Sequence, residues 1–250
     1  MDQQHLEQLT RDQLIEKIIG LQTRLEERGR WPQTINRPRQ LFVEGMDDFA
    51  LFLALLNRMG LDDVQIQIYE GKARLPIFLR TLLVLPGFDE RVTSIGIVRD
   101  ADSNPQDTFK SIQDALKQAK LPVPTRPQTP TDGDKRISVL ILPDAHLTGE
   151  LETLLLRAVA ADPVMPCIDL YFDCVAQRVA PLPGNVVDKA RVHAFLASRR
   201  KPGLRFGPAA RASFLNLDDP VYWAFAHFGS DFPDLSRFAL SYCLCVLFNQ

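Results

Sequence analysis

Cysteine and histidine are scarce in this chain, with four residues of each among 250. So few cysteines exclude a disulfide-stapled small domain. The histidines are scattered, and no spacing of His or Cys is typical of a zinc site. We expect the cysteines to be reduced and mostly buried, as in a cytoplasmic protein; they are Cys167, Cys174, Cys243 and Cys245.

Long apolar runs are also lacking. The longest covers residues 238–248 and is shorter than the roughly 20 residues that a bilayer span needs. The first residues are polar and contain no apolar signal segment. We therefore expect a cytoplasmic protein with no membrane association, in which residues 238–248 form a buried terminal element.

The chain has no excess of positive charge, since its formal net charge is −2 and its pI is about 6.1. Any contact with nucleic acid would therefore depend on a local patch. The strongest basic cluster also contains Phe206 and Phe214, and consists of Arg191, Arg199, Arg200, Lys201, Arg205 and Arg211. It can follow a phosphate backbone, or it can be a solvated face balanced by Asp188, Asp218 and Asp219.

Apolar segments and amphipathic segments alternate in the first half of the chain. The pattern predicts strands at 40–43, 64–69, 92–98 and 137–142, and helices at 47–59, 73–85 and 106–120. This alternation is typical of βαβ units, so we expect an α/β fold with a mostly parallel sheet flanked by helices. Beyond residue 149 the pattern is mainly helical, with helices predicted at 150–161, 169–178 and 188–200.

Residues 5–30 are predicted to form a helix with a short heptad pattern. Leu14, Ile18, Leu21 and Leu25 have the spacing of a single apolar stripe. This stripe can pack on its own domain, on a protein partner, or on a second copy in a homo-oligomer. We expect a helical arm at 1–31, an α/β domain at 32–147, and a mainly helical extension at 148–250 that packs on it.

Acidic residues follow two of the predicted strands. Glu44 comes directly after the first strand, Asp100 and Asp102 follow the third, and Asp48 lies one helical turn after Glu44. Ligands of parallel sheets bind beyond the carboxyl ends of the strands, so these carboxylates can meet there if the two strands are neighbours. They can equally well cap the helices that follow. Converging carboxylates with no histidine favour Mg²⁺ or Mn²⁺.

The segments Leu-Phe-Val-Glu-Gly-Met-Asp-Asp-Phe at 41–49 and Ile-Val-Arg-Asp-Ala-Asp at 97–102 resemble the two signature motifs of the Toprim domain. Topoisomerases, bacterial primases and the overcoming-lysogenization-defect (OLD) nucleases share this domain. The resemblance implies a Rossmann-like sheet, with Glu44 in proton transfer or metal binding. It also implies that Asp100 and Asp102 hold Mg²⁺.

The sequence pattern Glu-Gly-x-x-Asp is similar to the corresponding motif in the OLD-type branch of these proteins. That likeness implies a metal-binding role for Asp48. A second segment, residues 142–155, resembles a later acidic motif of OLD-like proteins, in which Glu152 is the matching carboxylate and Asp144 a weaker candidate. The resulting set of metal ligands is Glu44, Asp48, Asp100, Asp102 and Glu152.

Basic residues near these motifs are candidates for binding phosphate. Lys72 and Arg74 follow the second strand, at the same edge of the sheet, and we expect them to bind a substrate phosphate. Arg99 precedes Asp100, and we expect its side chain at the surface, pointing away from the aspartates. His146 lies near the acidic loop after the fourth strand and can also take part in the site.

These observations favour a bacterial, cytoplasmic, OLD-like Toprim protein that uses Mg²⁺ or Mn²⁺ to cleave phosphodiester bonds, as a nuclease acting on nucleic acid. The OLD nucleases carry an ATPase domain, whereas this chain has no G-x-x-x-x-G-K-[ST] loop. One alternative is therefore a non-catalytic subunit or regulator of a larger assembly, such as a defence system. Another is a phosphohydrolase acting on small nucleotides.

Overall fold

The computed structural model describes residues 34–222, and these contain a four-stranded, all-parallel sheet. The strands are β1 (Arg39–Val43), β2 (Val64–Ile68), β3 (Ser94–Asp100) and β4 (Arg136–Leu142), in the order β2-β1-β3-β4. The predicted α/β fold is confirmed, and the first and third strands are neighbours. The predicted arm, residues 238–248, Cys243 and Cys245 lie outside the described residues.

Helices cover both faces of the sheet. They are α1 (Met46–Met59), α2 (Leu75–Leu82), α3 (Phe88–Arg91), α4 (Pro105–Gln118), α5 (Leu151–Ala158), α6 (Met165–Arg178), α7 (Gly184–Ala197) and α8 (Phe206–Arg211). Short 3-10 turns occur at Lys72–Arg74 and Pro220–Tyr222. No helix among residues 34–222 combines the length and the apolar character needed to cross a membrane.

Alternation of side chains along each strand divides the core into two layers. In β4, Leu140 and Leu142 pack with α1 and with α5 to α8, while Val139 and Ile141 pack with α2 and α4. Because helices cover both faces, the central part of β4 is apolar on nearly every side chain, whereas the edge strand β2 keeps Gln65 and Gln67 on one face. The helices that follow residue 149 therefore share one apolar layer with α1.

The ends of α1 and α4 are fixed by local hydrogen bonds and by glycine. Gly60 adopts a left-handed conformation (φ 69°) and ends α1, as predicted. At the start of α4, the side chain of Asn104 accepts hydrogen bonds from the backbone N–H groups of Gln106 (2.9 Å) and Asp107 (3.2 Å). This cap fixes the path of the chain just after β3.

Several elements begin at positions other than the predicted ones. β3 covers Ser94–Asp100 instead of 92–98, because Val92 still closes the short helix α3. Helix α6 begins at Met165 instead of 169, since proline is tolerated in a first helical turn and Pro166 lies there. Helix α7 covers Gly184–Ala197 instead of 188–200.

Helix α6 corrects the expectation that the cysteines are buried. Cys167 and Cys174 are both free and exposed. The helix buries only Met165 and Ile168 fully, so the two cysteines lie on the side that faces away from the core. Leu170 and Tyr171 lie on the same helix and are 70% and 59% exposed.

Helix α8 crosses α1 at a contact that requires a glycine. A Cβ atom added to Gly207 would lie 2.6 Å from the Cβ of Ala50 and 3.0 Å from its carbonyl oxygen. Both distances are shorter than ordinary van der Waals contacts. The missing side chain therefore allows the two helix backbones to approach each other.

We predict that Gly207→Ala destabilises the protein by about 1–3 kcal/mol, because the added methyl group overpacks this contact. A loss of 1 kcal/mol corresponds to a decrease of about 2–4 °C in Tm, which thermal unfolding measures. Gly184→Ala is the matched control, since a Cβ there meets no atom within 4 Å. Equal Tm values for the two variants would contradict the prediction.

Candidate metal centre

The carboxyl ends of β1 and β3 lie side by side and bring Glu44 and Asp100 to one edge of the sheet. Glu44 directly follows β1, β1 pairs with β3 in parallel, and β3 ends at Asp100. The strand order reverses between these two strands, and in parallel sheets such a point forms a crevice where ligands bind. Burial raises the pKa of Glu44, and the positive charge of Arg99 opposes this effect.

Asp48 lies in the first turn of α1, above the same edge. Its Oδ2 accepts a hydrogen bond of 3.0 Å from the backbone N–H of Gly45. Burial raises the pKa of Asp48 to about 7; the Gly45 hydrogen bond opposes the increase, and the charges of Glu44 and Glu152 add to it. Asp48 therefore caps α1, as the capping alternative expected, and also belongs to the carboxylate group.

Asp100 is the most strongly perturbed of these carboxylates. Burial, together with the charges of Asp48, Glu44 and Glu152, raises its pKa to about 9. Its Oδ1 atom is buried and has no hydrogen-bond partner among the described residues. A buried carboxylate oxygen without a partner is unfavourable in a folded protein, and a bound cation is one way to satisfy it.

Asp102 differs from Asp100, because β3 ends between them. Asp102 has a positive φ of 53°, and its backbone exchanges two hydrogen bonds of 3.0 Å with Gly149. Its side chain lies at the exposed rim, where the Nζ of Lys72 is 3.1 Å from Oδ2. The two aspartates would have faced the same way only if the strand had continued past Asp100.

Glu152 comes from the C-terminal half of the chain. It lies in the first turn of α5 and is only 6% exposed. Its charge raises the pKa values of both Asp48 and Asp100, which places it in the same group. The Nζ of Lys189, on α7, is 3.6 Å from Oε1 of Glu152. Asp144 instead forms a local turn, in which its Oδ1 accepts the backbone N–H of His146 at 2.9 Å.

The two residues predicted to bind phosphate have different surroundings. Lys72 lies at the rim beside Asp102, its side chain is 59% exposed, and its backbone N–H donates to the Glu44 carboxylate. Arg74 pairs with Glu70, four residues earlier. The structure therefore places Lys72 against a candidate metal ligand, Asp102, and places Arg74 against Glu70.

Arg99 is buried, which corrects the expectation of a surface arginine. It is 6% exposed, and its guanidinium donates to the Oγ of Ser111 at 3.2 Å. Alternation along β3 directs its side chain away from Asp100, as expected. Even so, its charge lowers the pKa of Glu44. Sequence reasoning named it as a basic residue near the motifs but placed it at the surface, because a strand arginine next to an Asp-x-Asp pattern gives no sign of burial.

Sequence reasoning missed Lys189 and Glu150. Burial raises the pKa of Glu150, and the charge of Glu152 adds to the increase. Glu150 is the N-cap residue of α5. The one signal that could have identified it as a site residue is its position within residues 142–155, the segment that resembles a later acidic motif. Nothing in the sequence around Lys189 indicates that α7 packs against α5.

Three of the six basic residues in the predicted cluster form ion pairs within the protein. Arg191 pairs with Asp169, Arg199 with Asp162 at 3.0 Å, and Arg205 with Asp47 at 3.2 Å. Phe206 is buried in the core. The balancing carboxylates in these three pairs are thus not the predicted Asp188, Asp218 and Asp219.

Among residues 34–222, no three Asp, Glu, His or Cys side chains form a ready-made set of metal ligands. The contacts above give the physical reason. Asp102 and Glu152 form ion pairs with lysines, and Asp48 accepts a hydrogen bond from the backbone of Gly45. The carboxylates interact electrostatically with one another, but these three are held by other partners.

We predict that the metal-free protein loses stability as the pH rises. The pKa values of Asp48 and Asp100 are higher in the folded than in the unfolded state, so the folded protein binds more protons above about pH 4. Its free energy of unfolding should therefore fall by several kcal/mol as the pH rises from about 5 to 9. Urea unfolding in EDTA at several pH values measures this dependence.

Asp100→Asn should flatten the dependence above pH 7, because it removes the group that titrates there. Asp89→Asn is the control, since Asp89 is exposed on α3, which precedes the amino end of β3, whereas Asp100 lies at the carboxyl end of that strand. A wild-type protein whose stability does not change with pH would contradict the prediction, as would an unchanged slope in Asp100→Asn.

Comparisons with known proteins place the chain in a family and give two similar structures. No curated protein matches the chain significantly. Two solved structures of the C-terminal region of the Xanthomonas campestris pv. campestris OLD protein, phased with mercury and with iodine, are similar to it. Both have a TM-score of 0.41, with 15% and 14% identity, and each match covers 82% of this chain and 98% of the other. Residues 38–230 match the family described as protein of unknown function (DUF3226), and the chain belongs to that family.

Proposed function

We propose that this protein is a Toprim-like, OLD-like phosphodiesterase that binds Mg²⁺ or Mn²⁺ at the carboxyl ends of β1 and β3 and cleaves nucleic acid. The observation that carries the proposal is the buried Oδ1 of Asp100, which has no partner among the described residues and lies in a group of mutually repelling carboxylates. Such a group is more stable with a cation than without one.

The donor atoms fit a hard divalent cation. The candidate ligands Glu44, Asp48, Asp100, Asp102 and Glu152 are all carboxylates, which are typical ligands of Mg²⁺ and Mn²⁺. Asp100 and Asp48 would be the inner ligands, because Oδ1 of Asp100 is buried without a partner and the charge of Asp48 is the largest charge contribution to its raised pKa. Asp102 and Glu152 would join when they separate from Lys72 and Lys189.

Other side chains of the site have roles that follow from their surroundings. A bound cation would neutralise the carboxylates and activate a water molecule for attack on phosphorus. Glu44 holds its proton more strongly than an ordinary glutamate, which suits it to deliver that proton to a leaving oxygen. Lys72 is exposed at the rim and can move from Asp102 to a substrate phosphate.

The order of the motifs supports the Toprim assignment. Glu44 follows β1, the Asp-x-Asp segment begins at the last residue of β3, and the two strands are adjacent. This is the arrangement that the motif resemblance implies for Glu44, Asp100 and Asp102.

A non-catalytic role is the second candidate, and the two ion pairs favour it. Lys72 and Lys189 already offset two of the five candidate ligands, at 3.1 Å and 3.6 Å. A protein that keeps these pairs would have an acidic site that is partly neutralised by its own side chains. It would then act as a subunit or regulator of a larger assembly.

We predict that Mg²⁺ or Mn²⁺ raises the Tm, and that the increase is larger at pH 8 than at pH 6, because bound carboxylates must be deprotonated. A cation at about 100 times its Kd stabilises by about 2.7 kcal/mol, which corresponds to several degrees. Asp100→Asn and Asp48→Asn should lose the increase, and Asp89→Asn should keep it. The absence of any increase in the wild-type protein would exclude the metal site.

We predict metal-dependent nicking of supercoiled plasmid. Asp100→Asn should lower its rate by at least roughly 100-fold, the upper range for groups that only support a metal ligand. Asp89→Asn should nick like the wild type. Cleavage that survives in Asp100→Asn would overturn the mechanism.

The same assay separates the alternatives when it includes single-stranded oligonucleotides and nucleotides. Release of phosphate from nucleotides, with intact plasmid and oligonucleotides, would identify a small-nucleotide phosphohydrolase. Metal binding without turnover of any substrate would identify the non-catalytic role.

A further inference from the structure

A groove lies beside the candidate metal centre, between α4 and the loop that follows β4. Its volume is about 330 Å³. Helix α4 and the segments that follow it supply its lining: Pro105, Gln106, Phe109, Lys110, Gln113, Lys117, Pro127, Ala145 and His146. None of the residues that play a part in the metal centre lines the groove.

The lining combines apolar walls with positive charge. Pro105, Phe109, Pro127 and Ala145 supply most of the apolar walls, and two lysines are the charged members of the lining. None of the lining residues, all within the described part of the chain, is acidic. The groove therefore has the opposite charge to the adjacent carboxylates, and it suits a ligand with a flat apolar part and a negative part.

The groove adjoins the rim of the candidate metal centre. Pro105 lies three residues after Asp102, so their Cα atoms are at most about 11 Å apart. On the other wall, His146 lies three residues before Gly149, whose backbone is hydrogen-bonded to Asp102. Both walls thus begin near Asp102, and a ligand in the groove can extend to the carboxylates.

The polar side chains with which α4 lines the groove lie on one helix face. Gln106, Lys110, Gln113 and Lys117 are spaced at four, three and four residues, and Lys110 and Lys117 are about 10 Å apart along the axis. Lys110 has no hydrogen bond or ion pair within residues 34–222. Lys117 pairs only with Asp114, at 3.1 Å in an exposed ion pair of the kind that contributes little. Two cations spaced along one face match successive phosphates better than a single phosphate.

We infer that this groove binds a single-stranded nucleic acid, with a base against Phe109 and the flanking phosphates at Lys110 and Lys117. This inference rests on the proposed function, since the strand would lead the next phosphodiester to the carboxylates. Single-stranded nucleic acid binds where aromatic surfaces alternate with positive charge, and every base has a face that can stack. A flexible single strand can turn a base into a groove of about 330 Å³, whereas a duplex keeps its bases paired and stacked.

The test measures binding in EDTA, where no metal-dependent cleavage occurs. The probe is a fluorescein-labelled oligothymidylate, and its anisotropy reports binding to the full-length protein. Lys110→Ala/Lys117→Ala should weaken binding roughly tenfold, and it should decrease the salt dependence by about 0.7 per lysine. Alanine preserves the helix, and Lys110→Arg should keep nearly full affinity.

Two further variants make the result specific. Lys201→Ala removes a charge from the basic cluster predicted from the sequence, which does not line the groove, and should leave the affinity unchanged. Asp100→Asn should bind at least as tightly as the wild type. If the wild-type protein binds the strand in EDTA but cleaves no nucleic acid with Mg²⁺ or Mn²⁺, the proposed function fails and the groove is still supported.

Three outcomes would overturn the inference. The first is a wild-type protein that does not bind the oligonucleotide. The second is an alanine double variant that binds like the wild type, or a loss that arises at Lys201 instead. The third is thymidine monophosphate competing as strongly as the oligonucleotide, which would make the ligand a free nucleotide.

Discussion

Repulsion between buried carboxylates limits how the carboxyl edge of this sheet can be built. Asp48 and Asp100 lie in surroundings that disfavour their charged forms, and Glu44 and Glu152 add negative charge. Each carboxylate that ionises there makes the next ionisation more costly. The carboxyl edge is therefore stable when protons, lysine side chains or a cation neutralise part of this negative charge. The contacts around the carboxylates supply positive charge of this kind.

The offsetting charges come from three different parts of the chain. Lys72 follows β2, Arg99 lies within β3, and Lys189 lies on α7. Each one approaches the edge from another side, and only Arg99 is buried. The exposed lysines can exchange partners at little cost, whereas Arg99 is fixed by its hydrogen bond to Ser111. The charge of Arg99 is thus fixed on the face of the sheet opposite to Asp100, whereas the charges of Lys72 and Lys189 face the solvent.

Local patterns in the sequence were sufficient to predict most of the sheet and its first helices. Alternating or continuous apolar residues mark β1, β2 and β4, and Gly60 marks the end of α1. The placement of Glu44, Asp48 and Asp100 at one edge follows from these strands and from the rule for parallel sheets. The starts of β3 and α6 were harder to predict, because a short helix precedes β3 and a proline lies in the first turn of α6.

Contacts between distant segments could not be predicted from the sequence. The pairing of Glu152 with Lys189 depends on how α5 packs on α7, and no local pattern specifies such packing. The same holds for the close approach of α8 to α1 at Gly207, where a glycine within a helix gives no indication of its neighbour. The exposure of Cys167 and Cys174 likewise depends on which side of α6 meets the core.

That exposure has a chemical consequence. Cys167 and Cys174 lie two helical turns apart, about 10 Å along the axis of α6, and neither belongs to the carboxylate edge. Dioxygen oxidises accessible thiols of two molecules to an intermolecular disulfide, so preparations kept in air without a reductant would accumulate covalently linked molecules. The same accessibility lets a maleimide dye or a spin label attach at either position. Because α6 packs against α7, such a label would report spectroscopically on movements of the helix that carries Lys189.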